Sequence, residues 1–345
     1  MDPTERLLRA CRREPVDRPP VWLMRQAGRY QASYQAVRSK VSFMELCRSP
    51  DLCCRVTVQA VDELGVDAAI LFSDILVPLE SMGVEVSFRN GPCVEPAART
   101  VEAIDGLRVE GVAESVGYVY DAVRTIRQAL AGRVPLLGFS GSPWTLASYL
   151  VEGGSSRHLH ELKRLMYEEP AALERLLSKL ASVVIDYLRM QIDAGVDAVQ
   201  IFDSWGGALA EPEWRQFSGR FTQEVLTALR DTGTPRIHYI NGGGHLLEAT
   251  AELDCEVLSV DWRTPLSEVA QRTGGRYALQ GNLDPAILRA SPEVIRAGVQ
   301  QTLDSYGNRP GLVFNLGHGI TPDATVGAAQ ALVKAVHDLG PAYGG

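Results

Sequence analysis

Eight short apolar runs, set in regular alternation with helical patterns, constrain this chain more than any other feature. The runs are Val21 to Met24, Val66 to Leu71, Val134 to Phe139, Ala198 to Phe202, Arg236 to Ile240, Val257 to Val260, Tyr277 to Gln280 and Leu312 to Asn315. They read as strands buried on both faces, as in a parallel sheet covered by helices. Helical patterns lie between them, clearest at Ala171 to Ala194, Pro212 to Leu229, Pro265 to Thr273, Pro292 to Tyr306 and Asp323 to Leu339, with Glu114 to Leu130 earlier. Several begin at or just after proline, the usual first-turn placement. Phe43 to Gly65 reads as one helix, with Phe43, Leu46, Leu52, Val56, Ala60 and Leu64 on its apolar stripe and Gly65 as its C-cap.

The strand count and the 345-residue length fit a single (β/α)8 TIM barrel spanning residues 1–345. An open doubly wound sheet is the competing architecture. Against it, no Gly-x-Gly-x-x-Gly turn follows the first run, and Gly242-Gly243-Gly244 lacks that spacing. A short echo supports repeated units: Gly65-Val66-Asp67-Ala68 recurs as Gly195-Val196-Asp197-Ala198. Residues 1–18 read as an N-terminal arm with a helix from Thr4 to Cys11. Glu85 to Thr100 alternates around Asn90-Gly91, a β-hairpin excursion from the barrel.

Charge and cysteine usage narrow the function. The net charge is −8, which disfavours nucleic-acid or membrane-surface partners. No apolar run is long enough to span a bilayer, and the N-terminus has no signal-like apolar core, so a soluble, cytoplasmic protein is expected. The cysteines Cys11, Cys47, Cys53, Cys54, Cys93 and Cys255 form no Cys-x-x-Cys pair or zinc spacing, and buried reduced thiols are expected.

In a barrel of this kind, chemistry collects at the C-terminal ends of the strands. Those ends carry Arg25-Gln26-Ala27-Gly28-Arg29, Ser73-Asp74, Ser140 to Trp144, Asp203-Ser204-Trp205, Asn241 with its glycines, Asp261-Trp262, Gly281 to Asp284 and Gly317-His318-Gly319. Arg25 and Arg29 flank small residues, a pattern suited to clasping carboxylates or phosphates, although a surface turn with paired arginines has the same composition. Asp74 can cap the next helix or face a ligand; Asp203 and Asp261 read as caps of the helices that follow them. His318, between two glycines, has little packing purpose, and Tyr149 fits a half-buried helix. His158 and His160 have no third metal ligand near them in sequence and read as a solvated loop. There is no Gly-x-Ser-x-Gly elbow, His-Glu-x-x-His or P-loop. The remaining set suits a poly-acid substrate whose own π-system stores charge.

Several motifs in order carry a resemblance. They are Pro20-Val-Trp-Leu-Met-Arg-Gln-Ala-Gly-Arg-Tyr30, Phe72-Ser-Asp-Ile75, Gly138-Phe-Ser-Gly-Ser-Pro-Trp-Thr145, Tyr149-Leu-Val-Glu-Gly-Gly154, Phe202-Asp-Ser-Trp205, Gly281-Asn-Leu-Asp-Pro285 and Asn315-Leu-Gly-His-Gly-Ile320. Over essentially its whole length the chain resembles the uroporphyrinogen decarboxylase family of haem biosynthesis. The resemblance implies a barrel that works as a homodimer with no metal or organic cofactor. It implies removal of the four acetate carboxyls of uroporphyrinogen III to give coproporphyrinogen III. It also places Arg25, Gln26, Ala27, Gly28 and Arg29 against substrate carboxylates, Asp74 at the pyrrole N–H groups, and Tyr149, Ser204 and His318 at further contacts. Asp74, Arg25 and Arg29 are the implied catalytic residues. A zinc-dependent methyltransferase of the same superfamily is the alternative, weakened because His238 is followed by Tyr239 and Ile240 rather than by a cysteine ligand. A non-catalytic tetrapyrrole binder is the third reading.

Overall fold

The computed structural model describes residues 1–89 and 91–345, so Asn90 of the expected hairpin turn lies outside the described residues. Nine strands run in chain order among these residues: β1 (Ala69–Ile70), β2 (Glu85–Phe88), β3 (Pro92–Glu95), β4 (Leu136–Gly141), β5 (Ala198–Asp203), β6 (Arg236–Ile240), β7 (Val257–Val260), β8 (Ala278–Leu283) and β9 (Leu312–Leu316). All except β2 and β3 form one parallel sheet in the order β1-β4-β5-β6-β7-β8-β9.

The expected first strand is reduced to a single parallel bridge, Val21 to Phe314, yet it closes the barrel. On one side Phe314 N–H donates to Pro20 O (2.8 Å); on the other Asp67 N–H donates to Val21 O (2.7 Å). This segment is therefore the eighth stave. Its ladder is short because the chain turns away after Trp22. The Leu23 N–H goes instead to the Gln26 side chain, and the Met24 N–H to Asn315 Oδ1.

Alternation along the staves sorts side chains into two cores. Trp22, Leu137, Ala198, Ile237, Tyr239, Val257, Ala278 and Val313 fill the barrel, while Val199, Ile201, Leu258 and Leu279 face the helices. Midway up the barrel the packing is polar and fully buried. Gln280 accepts from the Trp22 indole (3.0 Å) and donates to Gln200 and Ser259 (2.8 Å each). Above that layer Phe139, Phe202 and Tyr239 meet edge to face, with centroids 5.6 Å apart in each pair, and form an aromatic floor.

The Gly-Val-Asp-Ala echo has a structural basis at the opposite, N-terminal rim. Asp67 donates its N–H to Val21 O and accepts the Val21 N–H (2.9 Å), while Arg18 lays its fork on the same carboxylate (2.6 and 2.7 Å). Asp197 repeats this at Leu136, with its N–H on Leu136 O (2.7 Å), the Leu136 N–H on its carboxylate (2.8 Å) and Arg127 as the cation (2.5 Å). Glu256 makes a third copy on Arg236, which supplies both the backbone N–H (2.7 Å) and the guanidinium. Each acid clasps the foot of the stave preceding its own: the Val21 segment to β1, β4 to β5, and β6 to β7.

Two helices depart from expectation. Phe43 to Gly65 is two helices, Phe43–Arg48 and Pro50–Leu64, because Pro50 drives Ser49 out of helical geometry (φ −101°, ψ 108°). Gly65 still caps the second, at φ +68°. The Pro212 to Leu229 pattern holds a wide π turn, Trp214–Gly219. Gly219 leaves room for the Trp214 ring, whose indole N–H reaches Asp203 (3.1 Å). The six cysteines are free, four of them buried and Cys93 and Cys255 half-buried.

Burial would raise the Asp67 pKa, but hydrogen bonds and charge from Arg18 and His337 outweigh it and hold the carboxyl at about 2. A depressed carboxyl stabilises the fold above its unfolded pKa near 4 and loses that contribution as pH falls towards 2. Asp67→Ala should cost about 3–5 kcal/mol at neutral pH, because it strands a buried guanidinium. Asp67→Asn should weaken the pH dependence of stability between pH 4 and 2. Urea melts as a function of pH check both.

Candidate functional site

A cavity of about 690 Å³ opens above the aromatic floor at the C-terminal ends of the staves. Arg25, Gln26, Ala27, Gly28, Arg29, Asp74, Tyr149, Ser204 and His318 all contribute to its wall, so the residues that the resemblance implies for the site surround one space. The first-stave turn explains how. Gln26 N–H donates to Leu23 O (2.9 Å), closing a tight turn that holds Arg25 at φ +61°. Its neighbour's N–H, Leu23, is taken by Gln26 Oε1 (3.1 Å), and Gln26 Nε2 bonds Ala68 O (3.1 Å). The Gln26 side-chain amide is thus bonded within the turn and to the backbone just before β1, which holds the arginine-bearing loop in place.

Arg25 runs past the loop that carries His318. A Cβ on Gly319 would lie 2.5 Å from Arg25 Cδ, so glycine there makes room for the arginine stem. Ile320 N–H donates to Met24 O (2.9 Å), and Tyr239 O–H donates to Gly317 O (3.0 Å), locking this loop to the first stave and to the floor. His318 Nδ1 accepts the Gly319 N–H (2.8 Å), which leaves Nε2–H as the donor. Burial, and then the Arg25 charge, lower the His318 pKa, so the ring is neutral at pH 7.

Asp74 faces the cavity and does not cap the short helix Val77–Met82 that follows, whose N-cap Leu76 has no side-chain cap bond; Oδ1 accepts the Leu76 N–H (2.9 Å) in a local turn. Burial pushes its pKa up to about 6 against the lowering effects of the Leu76 N–H and the Arg25 charge. Tyr149 packs edge-on to Trp205 (6.5 Å), and burial raises its pKa.

Asp203 is not the cap expected of it. It lies fully buried behind the site and accepts from Ser142 (2.8 Å), Thr145 (3.4 Å), Trp214 (3.1 Å) and Ser218 (2.8 Å). It thereby ties the loops after β4 and β5 to the π turn. Asp261 does not cap the next helix either, since Pro265 stands at that N-cap with no side-chain bond; it accepts the Arg263 N–H (2.8 Å) in a local turn and pairs with the Arg263 side chain.

Two arginines escaped sequence reading. Arg38, at the end of helix Ala32–Arg38, and Arg89, at the tip of β2, join Arg25 and Arg29 on the cavity wall. Neither sits at the C-terminal end of a stave. Among the described residues none of the four has a carboxylate at ion-pair distance, and Asp74 is the one acid in the lining. No group of three or more His, Cys, Asp or Glu side chains suited to a metal is assembled among the described residues. His158 and His160 stack at 5.3 Å without a third partner.

The architecture and site define a class: a (β/α)8 barrel whose mouth gathers arginines without carboxylate partners around one half-buried carboxyl. The uroporphyrinogen decarboxylase family model matches residues 2–339, and the chain belongs to that family. It is 48% identical over 346 residues to a uroporphyrinogen decarboxylase of Hydrogenovibrio crunogenus, covering 98% of each chain. It is 49% identical over 346 residues to that of Methylococcus capsulatus, covering 99% of each. A methyltransferase from Methanosarcina mazei has the same fold, with a TM-score of 0.81 at 23% identity over 98% of this chain and 99% of the other.

Gly319→Ala should leave the fold intact, since Gly319 does not need a positive φ, but should displace Arg25. We expect turnover of the family's substrate to fall at least tenfold, about 1.4 kcal/mol of transition-state stabilisation, with an unchanged melting temperature. Paired activity and thermal-melt measurements check this.

Proposed function

We infer that this chain decarboxylates uroporphyrinogen III, converting its four acetate side chains to methyls and releasing four molecules of carbon dioxide to give coproporphyrinogen III. The observation that carries this reading is the pocket itself: four arginines without carboxylate partners around one half-buried carboxyl, in a member of the decarboxylase family whose overall charge is negative.

Each round exchanges one carboxylate for one proton. Protonation of a pyrrole carbon makes the ring an electron sink. The bond between the methylene and carboxylate carbons then breaks, its electron pair flows into the ring, and carbon dioxide leaves. The exocyclic methylene takes a proton and the ring carbon returns one. Asp74, as an anion accepting the pyrrole N–H groups, stabilises the cationic ring and holds the macrocycle at its centre. Arg25 and Arg29 neutralise carboxylates, and Tyr149, Ser204 and the His318 Nε2–H orient the side chains. No organic cofactor or metal enters this scheme, because the substrate's own pyrrole stores the charge.

The family resemblance extends the reading to a homodimer in the cytoplasm. No helix among the described residues is long and apolar enough to cross a membrane, which agrees with that location. Sedimentation equilibrium should return twice the chain mass; a monomer would remove the dimer from the reading.

Anaerobic incubation with uroporphyrinogen III, with products resolved by chromatography, tests the activity; binding without carboxyl loss would point to a tetrapyrrole carrier. Asp74→Asn should lose most activity while melting at least as high as the parent at pH 7.5. The sign follows from the raised pKa: ionising a buried Asp74 costs stability as pH rises from about 4 to about 6, and asparagine escapes that cost. The stability advantage of the variant should vanish near pH 4. In the parent, kcat/KM should rise through about pH 6 as Asp74 ionises.

A further inference from the structure

We propose that Arg89, at the tip of the β2–β3 hairpin, is a substrate-binding residue that contacts a side-chain carboxylate of the tetrapyrrole at the cavity mouth. The inference rests on the proposed function for the identity of the ligand, and on the geometry of the hairpin for the residue.

The hairpin is firmly seated. Its base is joined to the loop after helix Pro143–Glu152 through the Cys93–Gly154 bridge, and Val94 N–H donates to Gly153 O (3.1 Å). Its tip is held by aromatic packing that leads to the catalytic floor. Phe88 packs edge-on to Phe43 at 4.6 Å, and Phe43 packs on Phe72 at 5.9 Å, two residues before Asp74. Phe88, Arg89, Gly91 and Pro92 all line the cavity, so the residue following the anchored Phe88 delivers its side chain to the mouth. Arg89 N–H closes the turn on Gly91 O (3.2 Å), and its guanidinium has no carboxylate partner among the described residues.

In an acidic chain where many arginines are paired, an unpaired one held at the entrance to a cationic cavity is placed for an anionic ligand. The first stave supplies Arg25 and Arg29 from one side, and the hairpin supplies Arg89 from another. The macrocycle, with carboxylates around its whole perimeter, can meet both at once. An exposed guanidinium gains from a charge-assisted contact and is screened by salt.

The test uses the full chain and two readouts. Uroporphyrin, the oxidised and unreactive octacarboxylate, is titrated by fluorescence; uroporphyrinogen turnover is measured separately. Arg89→Gln should weaken uroporphyrin binding and raise KM about five- to tenfold at low ionic strength, with kcat changed less than twofold and the defect shrinking towards unity in high salt. Arg89→Lys should recover most of the salt-sensitive affinity. Arg55→Gln, which removes the same charge from an exposed position on helix Pro50–Leu64 outside the cavity lining, should bind like the parent. The proposal is overturned if Arg89→Gln binds like Arg55→Gln at low salt, or if Arg89→Lys is as weak as Arg89→Gln. Failure of the parent to turn over uroporphyrinogen while still binding uroporphyrin through Arg89 would defeat the proposed activity and leave this inference standing.

Discussion

The grip of Asp67 on the first stave is the interaction on which the rest of the site depends. The stave from Val21 to Met24 has too few ladder bonds to hold itself in register: one bridge to β9 and one backbone bond to β1. A single buried carboxylate supplies what the ladder lacks, accepting the Val21 N–H while Arg18 neutralises it. Four residues along the same stave lies Arg25. A slip of one residue at Val21 would exchange the inward and outward faces, sending Trp22 out of the barrel and turning the arginine-bearing loop away from the mouth. Asp197 and Glu256 repeat the device between β4 and β5 and between β6 and β7, where full ladders make it less critical. The barrel thus concentrates its satisfied charge at the N-terminal rim and its unsatisfied charge at the C-terminal rim.

That division explains why the site is costly to keep. At the foot of the barrel, burial is offset by hydrogen bonds, and Asp67 remains ionised down to about pH 2. At the mouth, half-buried Asp74 has one backbone N–H and the Arg25 charge, too little to offset its desolvation, and its pKa rises to about 6. The same residue type shifts in opposite directions at the two ends because one has its partners built in and the other leaves them to a ligand. Four arginines without acids at the mouth repeat the logic with the sign reversed. Groups left short of partners in the free protein are what a polyanion with pyrrole N–H donors would complete.

Much of this was legible in the sequence because barrels are periodic. β6 and β7 match their expected limits because polar residues bound their short apolar runs, and helix Pro292–Tyr306 because Pro292 opens it and Gly307 ends it. The echo at Gly65 and Gly195 was visible as letters, but its meaning was not. The bond from an acid to the foot of a neighbouring stave needs the register of the sheet, and the third copy at Glu256 lacks the Gly-Val-Asp-Ala letters altogether. Gln26 sits inside the most site-like motif, but that its amide bonds Leu23 and Ala68 needs the folded turn. Asp203 was read as a cap because strand-end aspartates often are, and only the π turn at Trp214 explains why it became a buried hub. Arg38 and Arg89 were missed because a helix end and a hairpin tip converge on the cavity only in three dimensions.

The charge arithmetic of the proposed reaction also bears on how one pocket could serve it repeatedly. Each round removes one carboxylate from the ligand and none from the protein, so attraction between the ligand and the four arginines weakens stepwise from eight carboxylates to four. The early intermediates are then held more strongly than the final product, and release becomes easier as the work is completed. A pocket of mixed charges would lose this gradient, because paired arginines would be indifferent to the ligand's changing count. On this argument the shortage of acids at the mouth suits the proposed reaction: a single carboxyl is available to the ring, which must carry positive charge in every round, and the arginines remain free to respond to the ligand's falling carboxylate count.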